Sequence, residues 1–209
     1  MPKAEPMTQN PRTSCCIAGG GPAGMMLGHL LARSGIDVLV LEKHADFLRD
    51  FRGDTIHPST LEIMHELGFI DEFLELPHQK VEKLSALIGN ERITAADFSH
   101  LPVHHPYVIF MPQWDFLDFL AQQSRRYPKF RLLMRTEATG LIEEGGCITG
   151  VNAVTEGTPV EIRADLVIGA DGRHSIIRES SGLSVEDLGA PMDVLWFSLP
   201  RFPSDPDDT

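Results

Sequence analysis

The sequence has few cysteines and no C-x-x-C pair. Of its 209 residues only Cys15, Cys16 and Cys147 are cysteines. Three thiols, two of them adjacent, cannot form a disulfide framework, so a disulfide-stapled secreted domain is excluded and reduced thiols in a cytoplasmic protein are expected. Basic residues are scarce too: 18 Lys and Arg stand against 30 Asp and Glu, a formal net charge of -12. This balance argues against a nucleic-acid-binding surface and against docking on an anionic membrane.

The sequence also lacks a long apolar segment. Its longest stretch without an acidic or basic residue covers residues 13–32, but five glycines and Pro22 interrupt it. A transmembrane helix or a signal peptide needs a cleaner apolar run, so neither is predicted. With 42% hydrophobic and 23% charged residues, the composition is that of a globular protein. The length suits one domain, or one domain and part of a second.

The glycines of that stretch belong to a strand–turn–helix–strand pattern. The apolar run Cys15–Ala18 leads directly into a G-x-G-x-x-G motif at residues 19–24. A helical pattern follows to Ser34, and the β-branched run Asp37–Leu41 predicts a buried parallel strand that ends at Glu42. Together these segments predict a βαβ unit.

Each glycine of the motif has its own task in a dinucleotide site. Gly19 permits a tight turn, Gly21 lets the backbone approach a pyrophosphate, and Gly24 lets the helix lie close to the strand. Free N–H groups at the helix start then face the phosphates. Glu42 stands where a carboxylate accepts hydrogen bonds from an adenosine ribose, which favours FAD or NAD over NADP. The βαβ unit alone leaves the choice between FAD and NAD open.

The rest of the chain alternates between helical and strand patterns. Helices are predicted from Pro58, over residues 70–76 and after Pro112, and a hairpin is predicted around Gly89-Asn90. After Phe130 the pattern is that of strands. The predicted strands are 81–88, 92–98, 107–111, 131–135, 141–144, 148–154, 160–163 and 166–170, with a short helix at 175–180 and a further strand at 191–199.

A second motif identifies a family. The apolar run that ends at Ala170 predicts another buried strand. It leads directly into Asp171-Gly172, in the segment DLVIGADGRHSIIR over residues 165–178. Together with the glycine turn, Arg52-Gly53-Asp54 and Pro112-Gln113, this segment resembles the para-hydroxybenzoate hydroxylase-like, single-component FAD monooxygenases. The resemblance covers about residues 14–200.

The resemblance implies a function and a set of cofactor contacts. It implies an FAD-dependent monooxygenase in which NADH or NADPH reduces the flavin and a flavin hydroperoxide hydroxylates an aromatic or similar small organic substrate. The resemblance assigns a catalytic role to no particular side chain. The cofactor-binding residues that it implies are Gly19, Gly21, Pro22, Ala23, Gly24, Glu42, Lys43, Arg52, Gln113, Asp171 and Gly172.

The resemblance also implies the domain organisation. It predicts an α/β fold: a doubly wound, Rossmann-like FAD-binding domain with a β-meander, plus an incomplete mixed-sheet substrate domain. Residues 1–12 are expected to be a flexible lead-in, 13–80 and 112–183 the FAD-binding domain, and 81–111 and 184–209 part of the substrate domain. The family's later Gly-Asp motif, followed by a small residue and His, does not occur here. An amino-terminal portion of such an enzyme is therefore expected.

Several alternatives stay open. The same framework serves FAD-dependent reductases and halogenases, and a truncated chain could bind a nucleotide or a partner without turnover. The expected partners are a small-molecule substrate and O₂. A homo-oligomer is possible, and no metal ion is expected. His100, His104 and His105 lie in a Pro-flanked loop without the scaffold that metal geometry needs. Asp171 could instead cap the helix that follows it, and Ser175 is expected to be a helix-start hydroxyl.

Overall fold

The computed structural model describes residues 11–48, 54–186, 188–189, 200 and 202. The predicted contact Arg52, most of the predicted lead-in and the predicted strand at 191–199 lie outside these residues. The strands are β1 Arg12–Ala18, β2 Val38–Leu41, β3 Thr55–Ile56, β4 Gln79–Val81, β5 Lys83–Ile88, β6 Glu91–Asp97, β7 Val108–Phe110, β8 Phe130–Leu133, β9 Thr136–Glu144, β10 Cys147–Thr155 and β11 Thr158–Gly169. The helices are α1 Pro22–Arg33, α2 Pro58–Leu67, α3 Ile70–Leu74, α4 Gln113–Ser124 and α5 Ile176–Ser180.

The chain divides into two compact units. The first takes its described residues from Met1–Phe47 and Leu117–Gly189, and the second from Leu48–Phe116 and Ala190–Thr209. Within the described residues no helix is long and apolar enough to cross a membrane. Each unit has its own sheet structure.

The first unit is built on one six-stranded mixed sheet in the order β8-β2-β1-β11-β10-β9. Strands β8, β2, β1 and the end of β11 are parallel, and β9, β10 and the start of β11 form the predicted antiparallel meander. The predicted mixed α/β fold is therefore confirmed. Alternate residues of the central strands pack into a shared core. Its buried members are Cys16, Ala18, Leu39, Leu41, Val151, Ala153, Ile162, Ala164 and Ile177.

Helix α1 has the predicted start and stop signals. Gly21 caps it in an extended conformation, Pro22 occupies the first helical position, and Gly35 beyond its end has a φ of 81°. One face, formed by Met25, Gly28, His29 and Ala32, is buried. This i, i+3, i+4, i+7 spacing is what an amphipathic helix needs to cover a sheet.

Strand β11 corrects two expectations. The predicted strands 160–163 and 166–170 are one strand, which pairs antiparallel with β10 through its first half and parallel with β1 through its second half. Arg163 is a partner in both ladders, so the chain changes neighbours without a turn. The apolar end of the strand was also expected to be buried, yet Leu166 is 56% exposed. An unbroken apolar run therefore does not guarantee cover on both faces of a sheet.

The second unit contains a three-stranded antiparallel sheet, β3-β7-β4, and a separate hairpin of β5 and β6. The hairpin around Gly89-Asn90 is confirmed. The predicted strand 81–88, however, is split at Glu82: β4 pairs with β7, whereas β5 pairs with β6. Helix α2 begins at Pro58 as predicted and ends at Leu67, followed by Gly68 with a φ of 80°. Helix α3 is two residues shorter than the predicted 70–76 segment.

Candidate cofactor site

Three parallel strands of the first unit end at one edge of the sheet. Ala18 at the end of β1 is level with Leu41 of β2 on one side and with Gly169 of β11 on the other. The residues that follow these strands, the glycine turn, Glu42 and Asp171, are therefore neighbours at the carboxyl edge. Ligands of open α/β sheets bind at this edge.

The glycine turn packs tightly against the end of β11. Gly19 has a φ of 108°, and a Cβ atom on it would overlap the carbonyl oxygen of Ala170 and lie 2.8 Å from the amide nitrogen of Asp171. The Ala170 N–H donates to the carbonyl oxygen of Ala18 at 2.7 Å. A Cβ atom on Gly24 would overlap the carbonyl oxygen of Gly19. Both positions thus exclude every side chain.

Gly21 differs from its neighbours because the space beside it is open. A Cβ atom on Gly21 would meet no atom within 4 Å. Helix α1 has no side-chain hydrogen bond at its N-cap and no acidic residue in its first turn. Its first N–H groups and the positive end of its dipole therefore face a space that suits an anionic group. These features fit the diphosphate of FAD.

The Glu42 carboxylate is buried and held by backbone donors. Glu42 is only 7% exposed. Its Oε2 accepts the Gly20 N–H at 3.2 Å, and its Oε1 accepts the His44 N–H at 2.9 Å. A carboxylate oxygen has two lone pairs, so it can accept a ribose hydroxyl beside a backbone N–H. The geometry therefore supplies the acceptor that the hydroxyls of an adenosine ribose require.

Asp171 is tied to helix α5. Its Oδ1 accepts the Ser175 hydroxyl at 2.5 Å, and its Oδ2 accepts the Ile177 N–H at 3.2 Å. Ser175 is the N-cap of α5, because its Oγ accepts the Arg178 N–H. The expected helix-start role of Ser175 is confirmed. The alternative role of Asp171, as the N-cap of α5, is therefore wrong, because Ser175 is the cap and Asp171 holds that cap and the Ile177 N–H. A cofactor contact by the Asp171 carboxylate stays a prediction.

The other predicted contacts are spread over the chain. Pro22, Ala23, Lys43 and Gly172 are exposed residues of the first unit. Gln113 belongs to the second unit, where it begins α4 and donates its N–H to Asp54 Oδ1 at 3.4 Å.

Sequence reasoning missed Gly20, which occupies a variable position of the motif. A Cβ atom on Gly20 would lie 2.8 Å from the Cβ atom and 3.0 Å from the Oε2 atom of Glu42. Gly20 therefore permits the contact between the turn and the carboxylate. The run of three consecutive glycines was the available signal.

Three histidines of the second unit, His65, His104 and His105, lie close together. His104 donates its backbone N–H and directs its Nδ1 to the Glu62 carboxylate, and its ring stacks on His65 at 3.8 Å. The His104 contact lowers the pKa of Glu62. His105 Nδ1 lies 2.9 Å from the Tyr107 hydroxyl. Nowhere in the described ranges do three or more His, Cys, Asp or Glu side chains form a group that could hold a metal ion.

Comparison with known proteins identifies the family. The sequence profile of the FAD binding domain family matches residues 12–205. The chain belongs to this family. The resemblance inferred from the glycine turn and from Asp171-Gly172 is thereby confirmed, and FAD is the cofactor that this family binds.

Proteins similar to this chain include a monooxygenase and a hydroxylase. The 6-methylpretetramide 4-monooxygenase of Streptomyces rimosus is 31% identical over 201 residues, which cover 92% of this chain and 48% of that relative. The solved structure of the anhydrotetracycline hydroxylase from Streptomyces rimosus has a TM-score of 0.71 at 27% identity, covering 83% of this chain and 34% of that one.

A structural neighbour also has a different activity. The myxobacterial chondrochloren halogenase superposes with a TM-score of 0.71 at 24% identity, over 81% of this chain and 39% of its own. At that identity the likeness shows the shared fold alone. The chain spans at most about half the length of these three relatives.

Proposed function

We propose that this protein is an FAD-dependent monooxygenase that uses NADH or NADPH and O₂ to hydroxylate an aromatic or similar small organic substrate. The observation that carries the proposal is the meeting of the glycine turn, Glu42 and Asp171-Gly172 at one edge of the sheet. When bound, FAD supplies the redox chemistry that takes electrons from the nicotinamide and activates O₂. The protein binds, orients and shields the cofactor.

Different residues of the first unit are proposed to hold different parts of FAD. The backbone of Gly19–Gly24, with Pro22 and Ala23 at the start of α1, would hold the diphosphate. Glu42, followed by Lys43, would hold the adenosine ribose, and Asp171-Gly172 would serve the flavin and the reductant. From the family resemblance, Arg52 and Gln113 are also proposed as cofactor contacts.

The proposed substrate is a polycyclic phenolic compound. The support comes from the names of two relatives, which act on 6-methylpretetramide and on anhydrotetracycline. Electron-rich aromatic rings of this kind suit oxygen transfer from a flavin. NADH and NADPH are both candidate reductants.

The decisive experiment compares two glycine substitutions. Gly21→Ala adds a methyl group to the open space beside the helix start, so the folded chain should keep its stability but lose at least tenfold in FAD affinity. Gly140→Ala is the matched control. Its Cβ atom would lie 4.0 Å from Ser180 Oγ, an ordinary contact on strand β9. We expect its FAD affinity and thermal midpoint to equal those of the unsubstituted chain in a calorimetric titration.

Turnover distinguishes the remaining alternatives. The flavin-loaded protein is mixed with NADH or NADPH and with phenolic polycyclic compounds in the presence of O₂ and chloride. A product that carries one oxygen atom from ¹⁸O₂ supports a monooxygenase. A chlorinated product supports a halogenase, and reduction without substrate oxygenation supports a reductase. Flavin binding without reduction supports a non-catalytic binding protein.

We further propose the domain limits and the cellular compartment that accompany this function. Residues 13–80 with 112–183 would form the FAD-binding domain, and 81–111 with 184–209 part of a substrate domain. The free cysteines favour the cytoplasm. Self-association is tested directly by analytical ultracentrifugation.

A further inference from the structure

We propose that Glu42 has a second task, resting on the proposed function: it fixes the glycine turn in its phosphate-binding conformation before any ligand arrives. Glu42 is thus a positioning residue for the diphosphate as well as a ribose contact. Gly20 is the residue that makes this coupling possible.

The first support is the rigid attachment of Glu42 itself. Its backbone N–H donates to the Leu133 carbonyl oxygen at 2.8 Å, and its own carbonyl oxygen accepts the Thr136 N–H at 2.9 Å. The carboxylate accepts a further N–H from His44 at 2.9 Å. The side chain is therefore an immobile acceptor rather than a surface group.

The second support is the way in which the turn uses this acceptor. The Gly19 N–H donates to the Leu41 carbonyl oxygen at 2.9 Å, and the next N–H, that of Gly20, donates to Glu42 Oε2 at 3.2 Å. Two successive amides of the turn are thus attached to the end of β2. A backbone held in its bound conformation loses less entropy on binding, so ligand affinity rises without any direct contact.

The third support is steric. A Cβ atom on Gly20 would lie 2.8 Å from the Glu42 Cβ atom, which is closer than such atoms approach in proteins. Any side chain at position 20 would separate the turn from the carboxylate. Gly20→Ala should therefore resemble the loss of Glu42 while leaving the carboxylate in the chain.

The test separates positioning from ribose contact by the choice of ligand. The probes are ADP and 2′,3′-dideoxy-ADP, which carries the same diphosphate but lacks the ribose hydroxyls. Calorimetric titrations compare the unsubstituted chain with Glu42→Ala, Glu42→Gln and Gly20→Ala. Glu143→Ala, the removal of an exposed glutamate on strand β9, is the matched control. Thermal midpoints of the ligand-free variants report whether each one folds.

We expect Glu42→Ala and Gly20→Ala to weaken dideoxy-ADP roughly tenfold, with a greater loss for ADP in Glu42→Ala. Glu42→Gln keeps one acceptor oxygen and should lie between. In the Glu42→Ala background, Gly20→Ala should cause little further loss of affinity, because both act through one contact. Glu143→Ala should change neither affinity.

Two results would overturn the inference in different ways. If Glu42→Ala weakens ADP but leaves dideoxy-ADP unchanged, Glu42 is a ribose contact alone and the proposed function survives. If the unsubstituted chain binds neither FAD nor ADP, both the proposed function and this inference are wrong. Should Glu42→Ala not fold, Glu42→Gln and Gly20→Ala give the same comparison.

Discussion

Asp171 has two separable roles at the residue scale. The structure shows its carboxylate anchoring helix α5 through Ser175 and Ile177, whereas the family resemblance assigns it to the flavin and the reductant. Both oxygens retain a lone pair, so one role does not exclude the other. Substitution of the anchor and of its partner distinguishes them.

We predict that Asp171→Ala slows reduction of bound flavin by NADH or NADPH by more than its loss of FAD explains. It should also lower the free energy of unfolding by about 1–2 kcal/mol, because α5 loses its charged anchor. Ser175→Ala removes the N-cap but keeps the carboxylate, so it should share the stability loss only. Urea unfolding and stopped-flow reduction measure the two effects. Equal slowing in both variants would leave Asp171 as an anchor alone.

At this scale the sequence predicts some residues of the candidate site and misses others. The spacing of Gly19, Gly21 and Gly24 identifies the turn because each glycine meets a general geometric demand. Gly20 occupies a variable position of that spacing. A side chain is excluded there only because Glu42 approaches so closely. The Asp171–Ser175 contact likewise depends on a local turn that no spacing rule specifies.

At the scale of elements, a buried polar contact joins α1 to α4. Ser124 Oγ donates to the Leu120 carbonyl oxygen at 2.6 Å, so it must accept the proton of His29 Nδ1, which lies 3.1 Å away. His29 is 1% exposed, and burial, aided by Arg33, lowers the pKa of its imidazole. The neutral ring is therefore the form that the folded chain prefers.

This preference predicts acid sensitivity. Because the folded pKa of His29 lies below the unfolded value of about 6.5, its contribution is complete above pH 6.5 and is lost as the pH falls through the folded value. His29→Gln keeps a donor for Ser124 but does not titrate. Between pH 7.5 and 5.5 the unsubstituted chain should lose more stability than His29→Gln, by up to about 1.4 kcal/mol, in urea unfolding followed by circular dichroism. Parallel pH profiles would contradict the prediction.

Elements were predicted well where local signals suffice. The bounds of α1 follow from Pro22 and Gly35, and the hairpin of β5 and β6 follows from Gly89-Asn90. The errors concern pairing between distant strands. The split between β4 and β5, and the continuity of β11 across its two ladders, are decided by which strand lies alongside. Sequence periodicity contains no such information.

At the scale of the whole molecule, the three thiols report on folding. Cys15 and Cys16 are buried in β1 between its two parallel neighbours, and Cys147 is exposed. Burial raises the pKa of Cys16 to about 12, and it also raises the pKa of Cys15. Since the thiolate is the reactive form, only one thiol should react quickly in the native chain.

We predict that an aromatic disulfide reagent labels Cys147 within minutes at pH 8 and labels the other two cysteines only when urea unfolds the first unit. In Cys147→Ser the rapid phase should vanish. Rapid labelling of two or three thiols in the native chain would contradict the burial of β1.

The parallel ladder of β1 and β11 has a consequence for synthesis on the ribosome. Arg12 and Asp165, which form an ion pair across this ladder, are 153 residues apart in the sequence. The glycine turn that follows β1 leaves the ribosome early, yet the Ala170 peptide against which Gly19 packs is made much later. At about 5–20 residues per second, the turn waits on the order of ten seconds for its partner. A nascent chain therefore has no complete nucleotide cradle until β11 has been made, so cofactor capture must follow the synthesis of that strand.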